Sequence, residues 1–296
     1  MTDVTVIGLG PMGLMLAELA LKHGKTVTVW NRSAHKAATL VAQGAVLAST
    51  PAAAIAASPT TLVCVYDYAA AEEILAGEGV AAELQGRVLI NLGTGGPDEV
   101  RRIDAIVTGH GGRYLDGAIQ TAPSQMGQDD TPIIVSGPRA LYAEYEPLLK
   151  VLGGSLFHAG EDIDAAAYLD LATLSYVYGA YAGFVHGATI AEKTGSDVAT
   201  YGRLVRAISP SFGAFFEHQG RVIAAEDFRI SESPLRISIA AVNRILRASE
   251  RLGLNSELPA LVDGWLTRAD RQGYADEELA ALVKVLRSEA RTLAAA

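Results

Sequence analysis

The sequence predicts an α/β domain with a doubly wound, mostly parallel sheet, followed by an all-α C-terminal domain, the two joined by one long interdomain helix. Three observations carry this prediction. Residues 1–160 alternate short β-branched runs with Ala-rich helical stretches, the pattern of repeated βαβ units. Beyond Gly160 the strand pattern stops and apolar residues recur at helical spacing, as in Leu235, Ile239, Val242 and Leu246, or Leu279, Leu282, Val283 and Leu286. Between the two regimes, residues 164–194 form a helical stretch that is apolar nearly all round, so it must be covered on every side, by its own chain or by a second subunit. The expected domains are therefore 1–160 and 161–296.

Strands are expected at Asp3–Ile7, Thr26–Trp30, Thr61–Tyr66, Val88–Leu92, Arg113–Leu115, Ile133–Ser136 and Leu156–His158, with helices such as Met12–His23 and Leu141–Leu152 between them. At 296 residues the chain suits two cores better than one. Half of it is hydrophobic and 19% is charged, which places it among well-buried globular proteins. No solenoid repeat or low-complexity linker separates the halves.

Several function classes drop out. A net charge of −9 argues against nucleic acid as a partner, because neutralising phosphates needs clustered Lys and Arg. The single cysteine, Cys64, cannot form an intrachain disulfide and sits in the apolar run Leu62-Val63-Cys64-Val65, a buried strand residue more readily than a reactive thiol. From Met1 the sequence enters a strand within three residues, with no basic segment or small-residue cleavage site, and a cytoplasmic protein is expected. Leu171 to Ala191 is long enough to span a membrane, yet it holds Tyr176, Tyr178, Tyr181, His186 and several glycines without a Lys/Arg-rich flank, so burial in protein is expected instead. His23, His35, His110, His158, His186 and His218 show no metal-binding spacing, and no G-x-S-x-G elbow is present.

The strand Val4-Thr5-Val6-Ile7 runs into Gly8-Leu9-Gly10-Pro11-Met12-Gly13 and then an Ala/Leu-rich helix. This is G-x-G-x-x-G in strand-turn-helix context, the phosphate-binding turn of a Rossmann domain: glycines allow the tight turn and close backbone approach, and the helix start offers free N–H groups to a pyrophosphate. After the second strand come Asn31, Arg32 and Ser33, with Lys36 a turn further on. An acid there would bind a ribose 2′-OH; its absence, with two cations nearby, favours a 2′-phosphate and hence NADPH. If Ser33 merely caps the next helix and Arg32 is solvated, the cofactor choice stays open. Ligands lie beyond the carboxyl ends of such strands, so Val65, Tyr66 and Asp67, and Asn91 with Thr94, are expected to flank ribose and nicotinamide. A purely turn-forming role for Asn91, Gly93, Gly95 and Gly96 is the competing reading.

A Rossmann domain of this length with a long helix and an all-helical domain resembles the β-hydroxyacid dehydrogenase superfamily, and the resemblance spans essentially the whole chain. Two departures point within it. The acid dehydrogenases carry S-G-G after D-A-P and a catalytic lysine on the interdomain helix. Here the stretch reads Asp116-Gly117-Ala118-Ile119-Gln120-Thr121-Ala122-Pro123-Ser124-Gln125-Met126-Gly127, and no lysine lies between Lys150 and Lys193. Both departures are similar to the imine reductases. That resemblance implies an NADPH-dependent enzyme reducing imines, cyclic ones included, or iminium ions, with reductive amination in some members. It implies Asp170 at the position of the proton donor, Tyr178 at a second active-site position, and Thr94 where some reductive aminases contact substrate. It also implies a homodimer with exchanged C-terminal helices. A carbonyl dehydrogenase using a non-lysine acid and a non-catalytic NADPH-binding protein are the alternatives.

The charge signs agree with the imine reading. Reducing a carbonyl needs a proton for the developing alkoxide, whereas reducing C=N needs a cationic iminium before hydride arrives. A carboxylate about 4 Å from an iminium gains on the order of 4 kcal/mol at an effective dielectric near 20, and an ammonium there loses as much. A spacing of eight on a helix turns the direction by about 80° and advances about 12 Å, so Asp170 and Tyr178 can border one pocket without touching. The bland readings are an acid stabilised near a helix start for Asp170, and core packing for Tyr178.

Overall fold

The computed structural model describes residues 1–294. It divides into two compact units, Met1–Ser175 and the residues from Tyr176 onward. The first contains β1 (Val4–Ile7), α1 (Pro11–Lys22), β2 (Val27–Trp30), α2 (Ala38–Ala42), β3 (Val46–Leu47), α3 (Pro51–Ala56), β4 (Thr60–Val63), α4 (Tyr68–Leu75), α5 (Val80–Glu83), β5 (Val88–Asn91), α6 (Pro97–Gly109), β6 (Arg113–Ile119), β7 (Pro132–Ser136), α7 (Arg139–Leu152) and β8 (Ser155–Gly160). The helix α8 (Ala165–Lys193) begins in it and continues into the second unit, which holds α9 (Val198–Ala225), α10 (Leu235–Leu252), α11 (Glu257–Arg271) and α12 (Leu282–Ala294).

The eight strands form one sheet in the order β3-β2-β1-β4-β5-β6-β7-β8. Neighbours are parallel except β6 and β7. The reversal follows from the connection: residues 120–131 hold only a short 3-10 turn at Pro123–Gln125, with no crossover helix to bring the chain back parallel. Every residue of β1, β4 and β5 is buried, as central parallel strands covered on both faces require. Side chains alternate between two cores: Val6, Leu62 and Ile90 join α1 and α7 residues on one face, while Ile7, Val63 and Leu89 join Val100 and Ile103 on the other.

The structure departs from the sequence expectation at three places. The two-residue strand β3 was not expected, because Val46 and Leu47 are both exposed at the sheet edge and leave no burial pattern. Strand β6 runs to Ile119, four residues past the expected end at Leu115, because Asp116, Gly117 and Ala118 keep pairing with β7 although their composition does not look like a strand. After Val63 the chain leaves the sheet: Cys64 still donates to the Ile7 carbonyl at 2.8 Å, Val65 packs partly buried against the core, and Tyr66 is exposed.

The start of α8 belongs to the sheet unit because Ala166 and Ala167 are buried, Ala167 in the same core as Ile7 and Val63. The helical unit has its own core of Val222, Phe228, Leu235, Leu266, Ala281 and Val285, against which Ile239, Val242, Leu279, Leu282 and Val283 pack. Leu286, expected on that face, is exposed. Buried Glu278 accepts from the backbone N–H groups of Ser231 (2.8 Å), Glu232 (3.0 Å) and Ser233 (3.2 Å) and from Gln219 Nε2 (3.0 Å). Burial raises its pKa, but these donors outweigh burial and hold it at about 2. No helix among the described residues is long and apolar enough to cross a membrane.

Candidate active site

The first element of the site is the turn from β1 to α1. Gly8 has φ +95°, and a Cβ there would lie 2.3 Å from the Cys64 carbonyl oxygen, so both conformation and space demand glycine. A Cβ on Gly13 would lie 1.9 Å from the Gly8 carbonyl oxygen, which is what lets the helix start pack onto the strand. Gly10 differs: its φ is −70° and nothing lies within 4 Å of an added Cβ. Gly10 therefore serves no packing or conformational need of the chain, and its bare backbone faces open space. Pro11 opens the helix and the first intrahelical bond is Leu14 N–H to Gly10 O at 2.9 Å, so the N–H groups of Met12 and Gly13 stay free at the helix start. Open space over a bare Gly10 at a positively polarised helix end fits a dinucleotide pyrophosphate.

This turn forms one wall of a cleft of about 740 Å³ in the sheet unit. Of the residues expected to bind cofactor, Gly8, Gly10, Pro11, Met12, Gly13, Asn31, Arg32, Ser33, Lys36, Val65 and Tyr66 line it. Tyr66, 93% exposed, stands on its rim. Arg32 and Lys36 are exposed and make no ion pair among the described residues. Ser33 occupies the cap position of the following 3-10 turn, yet its hydroxyl makes no capping bond and stays available. Asn31 is tied in place, its Oδ1 accepting from Leu9 N–H at 2.9 Å and its Nδ2 donating to the Ser33 carbonyl at 3.1 Å. The same residue thereby sets the spacing of the two loops.

The remaining expected cofactor residues lie off the cleft. Leu9 turns its side chain into the core, and Asp67 caps α4 by accepting from Ala70 N–H at 2.8 Å. Asn91 is buried at the end of β5, its Oδ1 accepting from Gly93 N–H at 3.2 Å, and Thr94 is exposed on the loop that follows. Neither Gly93 nor Gly95 has a positive φ. Gly95 is needed for close approach, since a Cβ would lie 2.0 Å from the Tyr68 ring. Residues absent from the sequence expectation complete the cleft wall: Trp30, Pro51, Cys64, Ala70, Glu73, Ile74 and Gly77. The spacing of Ala70, Ile74 and Gly77 along α4 and its end was the available signal. Burial pushes the Cys64 thiol up to about 11, so it is an inert wall atom.

The second element is a pair of acids at the end of β6 and the start of α8. Asp170 is only 8% exposed. Gln120 Nε2 donates to its Oδ1 at 2.6 Å, and the Thr173 hydroxyl lies 2.7 Å from Gln120 Oε1. Asp116, fully buried, accepts on one oxygen from the hydroxyls of Tyr68 and Tyr114, the latter at 2.7 Å. Burial raises the Asp116 carboxyl to about 7 against the pull of both hydroxyls, and the charges of Asp170 and Asp164 push the same way as burial. Asp170 therefore stands beside a carboxyl that titrates near neutrality. Tyr178 follows on the same helix, 68% exposed, on the wall of a separate cavity of about 470 Å³ within the helical unit, with Tyr181, His186 and Asn255. It is not a core residue of that unit.

Comparison with known proteins bears on both units. Residues 3–160 match the family model of the NAD binding domain of 6-phosphogluconate dehydrogenase, and residues 162–288 that of the NADPH-dependent reductive aminase-like C-terminal domain. The chain is 32% identical over 286 residues to an NADPH-dependent reductive aminase of Aspergillus oryzae, covering 95% of this chain and 96% of that protein. Among solved structures it resembles an imine reductase from Myxococcus stipitatus in complex with NADP+, with TM-score 0.85, 28% identity and coverage of 96% and 99% of the two chains. It likewise resembles a reductive aminase from Aspergillus terreus in complex with NADPH and ethyl levulinate, with TM-score 0.84, 35% identity and the same coverage.

The glycine geometry separates ligand contact from folding. Gly10→Ala is expected to unfold within about 0.5 kcal/mol of the parent, while binding a nicotinamide dinucleotide at least about ten-fold more weakly. Gly13→Ala is expected to lose on the order of 1–3 kcal/mol of stability, because its new methyl meets backbone. Thermal unfolding and calorimetric titration of both variants check this, and equal losses of stability would contradict it.

Proposed function

We infer that this chain, which belongs to the NADPH-dependent reductive aminase and imine reductase family, reduces the C=N bond of imines and iminium ions, cyclic ones included, to amines. The observation that carries this reading is the buried carboxylate of Asp170 on a helix where no lysine lies between Lys150 and Lys193. A carboxylate attracts the cationic form of a C=N group, whereas the ammonium suited to a carbonyl would repel it.

When bound, NADPH supplies the hydride. The chain's own residues do the rest. We assign the pyrophosphate to the Gly8–Gly13 turn and the free N–H groups of Met12 and Gly13, and the 2′-phosphate to Arg32, Ser33 and Lys36. Val65, Tyr66 and Thr94 are assigned to the ribose and nicotinamide side, with Leu9, Asn31, Asp67 and Asn91 holding the loops that carry them. Asp170 holds the nitrogen of the substrate in its protonated state and is the group through which a proton reaches it. Tyr178, on the wall of the cavity within the helical unit, is assigned as a second active-site residue.

The same reading assigns a second copy of this chain as the partner. The long helices α8 and α9 leave apolar side chains exposed, among them Leu204, Ile208, Phe212 and Phe216 at a regular spacing of four. A stripe of that size marks an interaction surface, and a homodimer with exchanged C-terminal helices covers it. A lone free thiol suits a reducing compartment, the cytoplasm.

Three outcomes are expected. Asp170→Asn lowers turnover of a cyclic imine at least about 100-fold while leaving NADPH affinity within about two-fold, because it removes transition-state charge stabilisation alone; steady-state rates beside direct cofactor titration check this. Arg32→Glu reverses or erases the preference for NADPH over NADH, read as the ratio of kcat/KM for the two. Light scattering gives the mass of a dimer, and a monomer at micromolar concentration refutes the exchanged-helix assembly.

A further inference from the structure

Asp170 does not stand alone: one of its oxygens is gripped and the other is left. Gln120 Nε2 donates to Oδ1 at 2.6 Å, and among the described residues no hydrogen bond reaches Oδ2. Gln120 is itself fixed. It is the first residue after β6, and its backbone N–H donates to the Pro132 carbonyl at 3.1 Å. The Thr173 hydroxyl on the next turn of α8 lies 2.7 Å from Gln120 Oε1 and 2.8 Å from the Asp170 backbone carbonyl, and the carboxylate oxygen, an acceptor, takes the NH₂ side of the amide. The flipped amide would set an acceptor against an acceptor.

We propose that Gln120 is a positioning residue for the reaction, gripping Asp170 Oδ1 so that the carboxyl group is held in one orientation and presents Oδ2 to a cationic nitrogen. Two consequences follow from the chemistry of the amide. A donor binds a carboxylate more strongly than a neutral acid, so the bond suits a group that faces a cation. Because the amide NH₂ donates to Oδ1, Oδ2 is the oxygen with no hydrogen bond among the described residues and the one available to a proton in transit. Gln120 thus selects the substrate class, protonated imines and the ammonium products, and sets the atom through which the proton passes. The titratable and charged groups of this corner are Asp116 and Tyr114 on β6, Tyr68 on α4, Tyr168 on α8, and Asp164 just before α8 with its ion-pair partner Arg101 on α6. None of them donates to Asp170.

The inference rests on the reading of Asp170 as the group that holds the iminium, and the test separates the two. Gln120→Glu keeps the shape and replaces the donor by an acid, so the pair competes for a proton. Gln120→Leu removes the donor with similar bulk. Each is compared with the parent and with Asp170→Asn in two measurements: kcat/KM for 1-pyrroline against pH, and calorimetric binding of pyrrolidine to the enzyme with NADP+. For Gln120→Glu the acid limb of the rate profile is expected to move up by about one pH unit or more, since a neighbouring acid disfavours a second charge. The pyrrolidine affinity is expected to fall over the same pH range. For Gln120→Leu, kcat/KM falls on the order of ten-fold, the scale of a hydrogen bond to a charged group, with NADPH affinity unchanged. If Asp170→Asn abolishes turnover and pyrrolidine binding while both Gln120 variants keep the parent's pH profile and affinity, the role of Gln120 is overturned and that of Asp170 stands. If Asp170→Asn itself changes neither, the reading of Asp170 fails and this inference fails with it. Should Gln120→Leu not fold, Gln120→Glu decides alone.

Discussion

The hydrogen bond from Gln120 to the mostly buried carboxyl group of Asp170 joins the end of β6 to the start of α8, and the rest of this corner is arranged around it. A charged group out of water is costly unless a donor meets it. The neighbouring Asp116 shows what burial does on that side of the sheet: two tyrosine hydroxyls do not keep its carboxyl below about 7. Asp170 differs in accepting a 2.6 Å bond from the amide of Gln120, whose Oε1 faces the Thr173 hydroxyl. The two acids meet different donors, Asp116 the hydroxyls of Tyr68 and Tyr114 and Asp170 the amide of Gln120.

The fold supplies these partners at a strand end. As the first residue after β6, Gln120 lies at the carboxyl end of that strand, within reach of the start of the long helix α8. The chain then returns antiparallel as β7 without a crossover helix. The same logic of strand ends places the glycine turn after β1, the Asn31 to Lys36 loop after β2 and the Val65 to Tyr66 loop after β4 around one cleft.

Legibility in the sequence followed how local each cause is. The glycine turn was readable because three glycines, a strand and a helix all occur within about 20 residues and each has one physical explanation. Arg32, Ser33 and Lys36 were readable because a loop after β2 can hardly lie elsewhere. Glu73, Ile74 and Gly77 were missed because α4 and its end contribute to the cleft only once the helix packs on the sheet, and Trp30 because it is the last residue of β2 and reads as a strand residue. Leu9 and Asp67, though inside or beside the motif, face the core and cap a helix instead of the cleft. The extension of β6 past Leu115 was set by pairing partners distant in sequence.

By itself the sequence determined the two-regime architecture, the phosphate-binding turn, the missing acid after β2 and the absence of lysine from the long helix, since each is written in residue type and short-range order. Tertiary structure alone decided that Gly10 faces open space while Gly13 faces backbone, that Asp116 is buried against two tyrosines, and that Gln120, 50 residues before Asp170, is its hydrogen-bond partner. The physical reason is the same in each case: whether a polar group is satisfied depends on which distant atoms the packed chain brings within about 3 Å, and no local pattern encodes that.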